Sequence, residues 1–171
     1  MKFLINLQPK KEFSPLKEVG FHALDISQLT ALMDNLLKKL NYKGVQRIAV
    51  INASDEFIEY LRKELNEVQI DRDIDQRFPY EFMIFFVKLV SEVKVLVPKA
   101  LHNLTSDGTL WFAYPKKTSK KHSSDIDRDH GWEVLIDRGF DKVRQVSINT
   151  DWSALRFRNV RYIKSNRGRF S

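Results

Sequence analysis

Two stretches of this 171-residue chain set aspartates at alternate positions: Asp71, Asp73 and Asp75, then Asp125, Asp127 and Asp129. Carboxylates spaced in this way open a calcium loop, which also needs glycine at its sixth position and glutamate at its twelfth. Counting from Asp125 reaches His130 and Ile136, and counting from Asp71 reaches Gln76 and Phe82, so both stretches fail. The acids are expected instead in a turn and in the first turn of a helix, where negative charge suits the dipole. His22, His102, His122 and His130 form no i, i+4 pair, and no metal site is expected. The six glycines are too dispersed for a dinucleotide fingerprint or a phosphate loop, and no Gly-x-Ser-x-Gly elbow offers a serine nucleophile. With no cysteine, thiolate catalysis, disulfides and iron–sulfur ligation are excluded, and a reducing, cytoplasmic location is expected.

Basic residues form the other chemical signal, within a formal net charge of +7. Lys116, Lys117, Lys120 and Lys121 follow an apolar run, with Ser119 and His122 among them. Arg156, Arg158, Arg161, Lys164, Arg167 and Arg169 follow one another with no acid between them. At strand spacing Arg156 and Arg158 share a face opposite Leu155 and Phe157. That face reads either as the solvated side of an edge strand, guarded by charge, or as a nucleic-acid footprint. Trp111, Trp132 and Trp152 are expected mainly as core packing rather than as stacking platforms.

The elements that must position these residues follow from periodicity. Leu29, Leu32, Met33, Leu36, Leu37 and Leu40 make an amphipathic helix capped by Ser27 and closed by Asn41 and Gly44. "RIAVINA" reads as a strand, and "SDEFIEYLRKEL" as a helix capped by Ser54. "VQID" is a short strand and "YEFMIFFVKLV" a strand buried on both faces. A helix bent at Pro98, or starting there, is expected to end at Asp107-Gly108. The strand "TLWFAYP" and a helix over "DIDRDHGWEVLIDRG", closed by Gly139, come next. Two final runs form a hairpin turning near Thr150 to Trp152.

Alternating strands and helices imply an α/β, Rossmann-like, mostly parallel sheet with helices on both faces and an antiparallel C-terminal hairpin. The chain reads as one domain: an N-terminal extension over 1–43, a core over 44–163 and a frayed basic tail over 164–171. No run reaches the about 20 apolar residues of a membrane span, and the first residues are too broken for a secretory signal, so no membrane partner is expected.

In such sheets ligands bind beyond the carboxyl ends of the parallel strands. That edge gathers Asn52 and Ser54, then Asp71, then Lys88, then Lys116, Lys117 and Ser119, with Asp151 and Trp152 at the hairpin tip. Lys116, Lys117 and Ser119 are the expected contacts for a phosphate or carboxylate, and Asp151, Trp152 and Arg156 form or brace the opposite wall.

The segments Leu110 to Lys116 and Trp152 to Phe157 resemble a bacterial family defined as a domain of unknown function, with a Leu-Trp-x-x-Tyr-Pro-Lys strand end and a Trp-Ser-Ala-Leu-Arg-Phe stretch. The likeness runs from about Gly44 to Arg158. Its strand order is similar to that of class I methyltransferases, and this resemblance implies their fold. In those enzymes a glycine-rich loop after the first strand holds S-adenosylmethionine, and an acid ending the second strand takes the ribose hydroxyls. Asp71 stands at the acidic position, while Asn52-Ala53-Ser54-Asp55 replaces the glycine loop, so the cofactor is the less favoured ligand. Three readings stay open: a non-catalytic module for an anionic small molecule, a methyltransferase with a variant cofactor site, and a nucleic-acid-binding protein.

Overall fold

Apolar runs place the strands at the centre of the computed structural model, which describes residues 27–28 and 36–164. In chain order the elements are β1 (Arg47–Ile51), α1 (Asp55–Glu64), β2 (Gln69–Asp71), β3 (Tyr80–Phe86), α2 (Val90–Asn103), β4 (Leu104–Pro115), α3 (Glu133–Ile136), β5 (Phe140–Ser147) and β6 (Trp152–Asn159). They form one sheet in the order β2-β1-β3-β4-β6-β5. The first four strands run parallel, and β6 is antiparallel to both β4 and β5. This is the mostly parallel α/β sheet with a C-terminal hairpin expected from the sequence.

Strand alternation divides the core in two. Ala49, Ile51, Met83, Phe85, Leu110, Phe112 and Phe157 face α2 and α3, meeting Val93, Val97, Trp132 and Leu135. Ile48, Val50, Ile84, Phe86, Trp111 and Ala154 face the other way, against Leu40 and the α1 residues Phe57, Ile58 and Leu61. Trp111 is fully buried, and its indole Nε1 donates to the Leu40 carbonyl at 2.8 Å. That bond ties the segment before β1 to the middle of the sheet.

Several boundaries differ from the expectation. Helix α2 runs through Pro98 because that residue lies on the exposed side, while Val93, Val97 and Ala100 keep the helical stripe on the core. The helix ends at Asn103, earlier than expected. Asp107 (φ +55°) and Gly108 lie instead in an irregularity of β4, where the register passes from Tyr80↔Leu104 to Phe82↔Thr109. A Cβ at Gly108 would sit 2.7 Å from Leu104 Cδ1 and 2.9 Å from Thr105 Oγ1, so a side chain there would require those two side chains to move.

The helix expected across Asp125–Gly139 is confined to Glu133–Ile136. Asp127 Oδ1 takes the amides of Asp129 and His130 at 2.7 and 2.9 Å, and Gly131 turns the chain at φ +101°. The aspartates therefore organise a loop rather than open a helix. The hairpin turn lies over 148–151, where Asn149 Oδ1 accepts from the Asp151 and Trp152 amides at 2.9 Å each. Of the first amphipathic helix, positions 27–28 and 36–39 are helical; Leu29, Leu32 and Met33 lie outside the described residues, as do Arg167 and Arg169.

Trp111→Phe removes the indole donor and leaves the Leu40 carbonyl unpaired beside a void, an expected loss of about 2 kcal/mol or more. Urea unfolding measures it; a change below about 0.5 kcal/mol would show that the indole bond contributes nothing.

Candidate functional site

The turn after β1 begins with Asn52 at φ +59°, a conformation that asparagine tolerates better than most residues. Ser54 follows in extended conformation and caps α1, its Oγ accepting from the Phe57 amide at 3.3 Å. Beside this turn, β3 ends at Phe86 and leads to Lys88, while β6 begins at Trp152. Between them lies a cleft of about 460 Å³, lined by Asn52, Ser54, Phe57, Phe86, Lys88, Glu92, Lys121, His122, Asp151 and Trp152 among others. It spans the point where β1 and β3 send their connections in opposite directions, the position at which open α/β sheets bind ligands.

Aromatic rings form one wall. Trp152 is partly exposed, meeting Phe86 edge-on at 5.2 Å between ring centroids and the His122 ring at 5.2 Å with a 54° tilt. Two of the three acids lining the cleft are engaged with the protein itself, while the exposed Glu56 has no hydrogen bond or ion pair among the described residues. Glu92 Oε2 accepts from the Lys88 and Leu89 amides at 2.6 and 2.9 Å. Asp151 Oδ1 accepts from Ser119 Oγ at 2.8 Å, and its other oxygen lies 3.9 Å from the Lys121 ammonium. Among the described residues the Lys88 ammonium has no hydrogen bond or ion pair.

The residues expected from the sequence divide among several places. Asn52, Ser54, Asp151 and Trp152 do meet in the cleft, and Ser119 fixes Asp151. Lys116 and Lys117 do not line it. Lys116 Nζ donates to Ser147 Oγ at 2.7 Å, and Lys117 reaches Asp127 at 3.0 Å beside a separate depression. The Lys116 side chain and its amide, bonded to the Asp151 carbonyl at 2.7 Å, strap the loop to the hairpin, while Lys117 with Asp127 closes the loop on itself. Lys117, the Asp129 amide and the His130 ring hold the Asp127 carboxyl far below the ordinary carboxylate range.

Asp71 lies outside the cleft as well. Its carboxylate accepts from Arg47 Nε at 2.6 Å, from Gln69 Nε2 at 2.9 Å and from the Tyr80 hydroxyl by a short bond. Arg47 also rests over the Phe78 ring, 4.3 Å from its centroid. Burial pushes the Asp71 carboxyl up, but the bonds from Tyr80, Arg47 and Gln69 outweigh it and hold the pKa below the usual range. The loop between Asn52 and Asp55 carries a side chain at every position, and Arg72 bridges it to Asp55 at 2.8 Å. A glycine loop and an unengaged acid, which S-adenosylmethionine would use, are therefore not what these residues offer.

Arg156 is four residues along β6 from Trp152, about 13 Å at strand rise, and stands in mid-sheet rather than at the cleft wall. The basic run is not a uniformly solvated face either. Arg158 forms a two-pronged pair with Asp107, both bonds 2.6 Å, and Arg156 has a buried Nε. Phe86, Lys88 and His122 complete the cleft. Sequence alone marked Lys88 as following a strand, and nothing in it marked the ring contact of His122 with Trp152.

No protein-family model and no curated protein matches the chain, so the likeness to a family of unknown function gains no support there. Solved structures with a similar arrangement include an S-adenosylmethionine-dependent methyltransferase from Aquifex aeolicus, 16% identical over 80% of this chain and 95% of that one, with a TM-score of 0.49. The N-methyltransferase NodS from Bradyrhizobium japonicum, in complex with S-adenosyl-L-homocysteine, is 11% identical over 79% and 88%, with a TM-score of 0.47. A fibrillarin/Nop5p complex is 10% identical over 68% and 74%, also at 0.47. What is similar is the arrangement of strands and helices.

The Asp71 network predicts a definite response to acid. Because the folded pKa lies below the ordinary 3.8, the stabilisation is complete above that value and is lost as pH falls through the folded pKa. Asp71→Asn is expected to destabilise the protein at neutral pH, with the gap from the unaltered chain closing below about pH 4. Denaturant unfolding at several pH values checks this; a gap that stays constant into acid would remove the charge from the explanation.

Proposed function

We propose that this chain is a methyltransferase-like Rossmann domain that binds a small anionic molecule in the cleft over β1, β3 and β6, as a binding or regulatory module rather than a catalyst using S-adenosylmethionine. The observation that carries the reading is the division of charge in the cleft. Glu92 and Asp151 are held from within by amides, a hydroxyl and Lys121, so of the three acids lining the cleft only the exposed Glu56 is unengaged, and the Lys88 ammonium is left open to a ligand. An ammonium facing a cleft with a partly exposed indole suits a molecule that pairs a phosphate or carboxylate with an apolar body. The commitment of Asp71 to Arg47 and Tyr80 speaks against a bound ribose at that position.

A second reading, a methyltransferase with a variant cofactor site, draws on Asn52. Its left-handed backbone gives the turn after β1 a shape that glycine ordinarily supplies. On that reading Asp71 exchanges one of its present donors for the ribose.

A thermal-shift panel of S-adenosylmethionine, S-adenosylhomocysteine and phosphate- or carboxylate-bearing metabolites separates the two. An anion at a hundredfold excess over its Kd is expected to stabilise the chain by about 2.7 kcal/mol, and Lys88→Ala is expected to abolish that gain without changing basal stability. Trp111 and Trp132 are 0% and 1% exposed, so a fluorescence change on binding that is absent from Trp152→Phe places the ligand at the cleft. Stabilisation by the two cofactor forms alone, lost in Asp71→Asn, would move the conclusion to the second reading.

A further inference from the structure

Away from the cleft, the face of the sheet that carries Trp111 ends in two arginines. In one row across the strands Ile84 pairs with Trp111, Trp111 with Arg156, and Arg156 with Arg144. Arg144 owes its place to an irregularity in β5. Between Lys142, opposite Phe157, and Arg144, opposite Arg156, the strand holds one extra residue, Val143. An unbroken ladder would set Val143 against Arg156; the bulge brings up a second guanidinium instead, and re-aiming a side chain is a common use of such bulges.

Like charges in direct cross-strand register repel, and among the described residues no acid is bonded to either member of this pair. The Arg156 Nε is buried with no hydrogen-bond partner. Among the described residues the Arg144 guanidinium has no hydrogen bond or ion pair. Asp107, the acid whose charge acts on Arg156, is held by Arg158 through both oxygens. Burial depresses the Arg156 pKa, Arg158 and Arg144 push in the same direction, and the opposing charge of Asp107 does not reverse the shift. Protection of a sheet edge accounts for Arg144, which is exposed on the outermost strand. It does not account for Arg156, one strand inward with a buried donor beside a fully buried indole.

We propose that Arg144 and Arg156 together hold a phosphate group, at a site separate from the cleft. Two planar donor forks side by side suit a ligand with three oxygens and up to two negative charges better than a single carboxylate. The phosphate could come from a free or metabolite phosphate or from a nucleic-acid backbone, and the chemistry of recognition is the same.

The test follows the arginine Nε–H signals of the full chain by ¹H–¹⁵N NMR during titration with inorganic phosphate, against chloride at equal ionic strength. The expected result is a saturable shift of both signals with phosphate alone, and loss of the Arg156 shift in Arg144→Ala, an exposed position whose change leaves the fold intact. Arg156→Lys, which keeps the charge and loses the fork, is expected to weaken binding at least tenfold. Equal response to chloride, or an Arg156 shift unaltered in Arg144→Ala, would overturn the site. In a second arm a short single-stranded oligonucleotide replaces phosphate. Binding more than tenfold tighter, with the same two signals moving, upholds the site and assigns it to a nucleic-acid backbone; binding no tighter than phosphate upholds it for a free or metabolite phosphate.

Discussion

Strand β4 has to satisfy two neighbours of opposite direction with the same residues. Leu110 to Ala113 pair in parallel with Met83 to Phe86 on one side and in antiparallel sense with Ala154 to Phe157 on the other. Every backbone group of that stretch is committed in the ladder, so its register cannot slip without breaking both pairings. Much else hangs from this strand. Its alternation sends Trp111 to the Leu40 carbonyl and fixes the row in which Arg156 stands. Its carboxyl end delivers the chain into the lysine-rich loop, and the antiparallel partner brings Trp152 alongside. The aromatic wall of the cleft is thus a product of strand pairing rather than of local loop sequence.

The sheet was legible in the sequence because fully buried strands are written as unbroken apolar runs, as in Ile48–Ile51 and Phe82–Phe86. The cap at Ser54 was legible from equally local chemistry, a serine just ahead of a helical apolar stripe. What misled was chemistry that serves two purposes. Asp-Gly with a left-handed residue ends a helix or makes a sheet irregularity, and only the pairing of Leu104 with Tyr80 decides that Asp107-Gly108 does the second. Aspartates ahead of an apolar run open a helix or fold a loop, and the amides taken by Asp127 decide for the loop. For the site, the rule about carboxyl ends identifies an edge but not which side of it a side chain takes. Asn52 and Trp152 turn to the cleft, while Lys116 and Lys117 turn to Ser147 and Asp127, partners 31 and 10 positions away in sequence. Alternation placed Arg156 opposite Leu155 correctly, yet burial by a neighbouring tryptophan is not an alternation property.

The two proposed ligand positions differ in kind although both derive from β6. At its start, Trp152 faces an open crevice in which Glu92 and Asp151 are bonded within the protein while the Lys88 ammonium and the Glu56 carboxylate are not. Four residues later, Arg156 lies in a flat row of the sheet where positive charge is in excess. A crevice of the first sort selects by shape and an apolar body; a ledge of the second sort selects by charge and oxygen geometry. One strand therefore presents two chemically distinct surfaces to the same solution.

The irregularity in β4 has a further bearing on how the chain tolerates change. Between paired positions, β4 passes from Leu104 to Thr109 while β3 advances only from Tyr80 to Phe82, so β4 carries slack at the amino-terminal margin of the sheet, opposite the cleft. Residues Thr105 and Ser106 lie within that slack, and Ser106 is exposed. Length variation there alters an irregularity of β4 that has no register partner in β3, while Thr109 onward keeps its register. The protein has, in effect, an expansion joint: a site for grafted segments or labels that leaves the binding edge undisturbed.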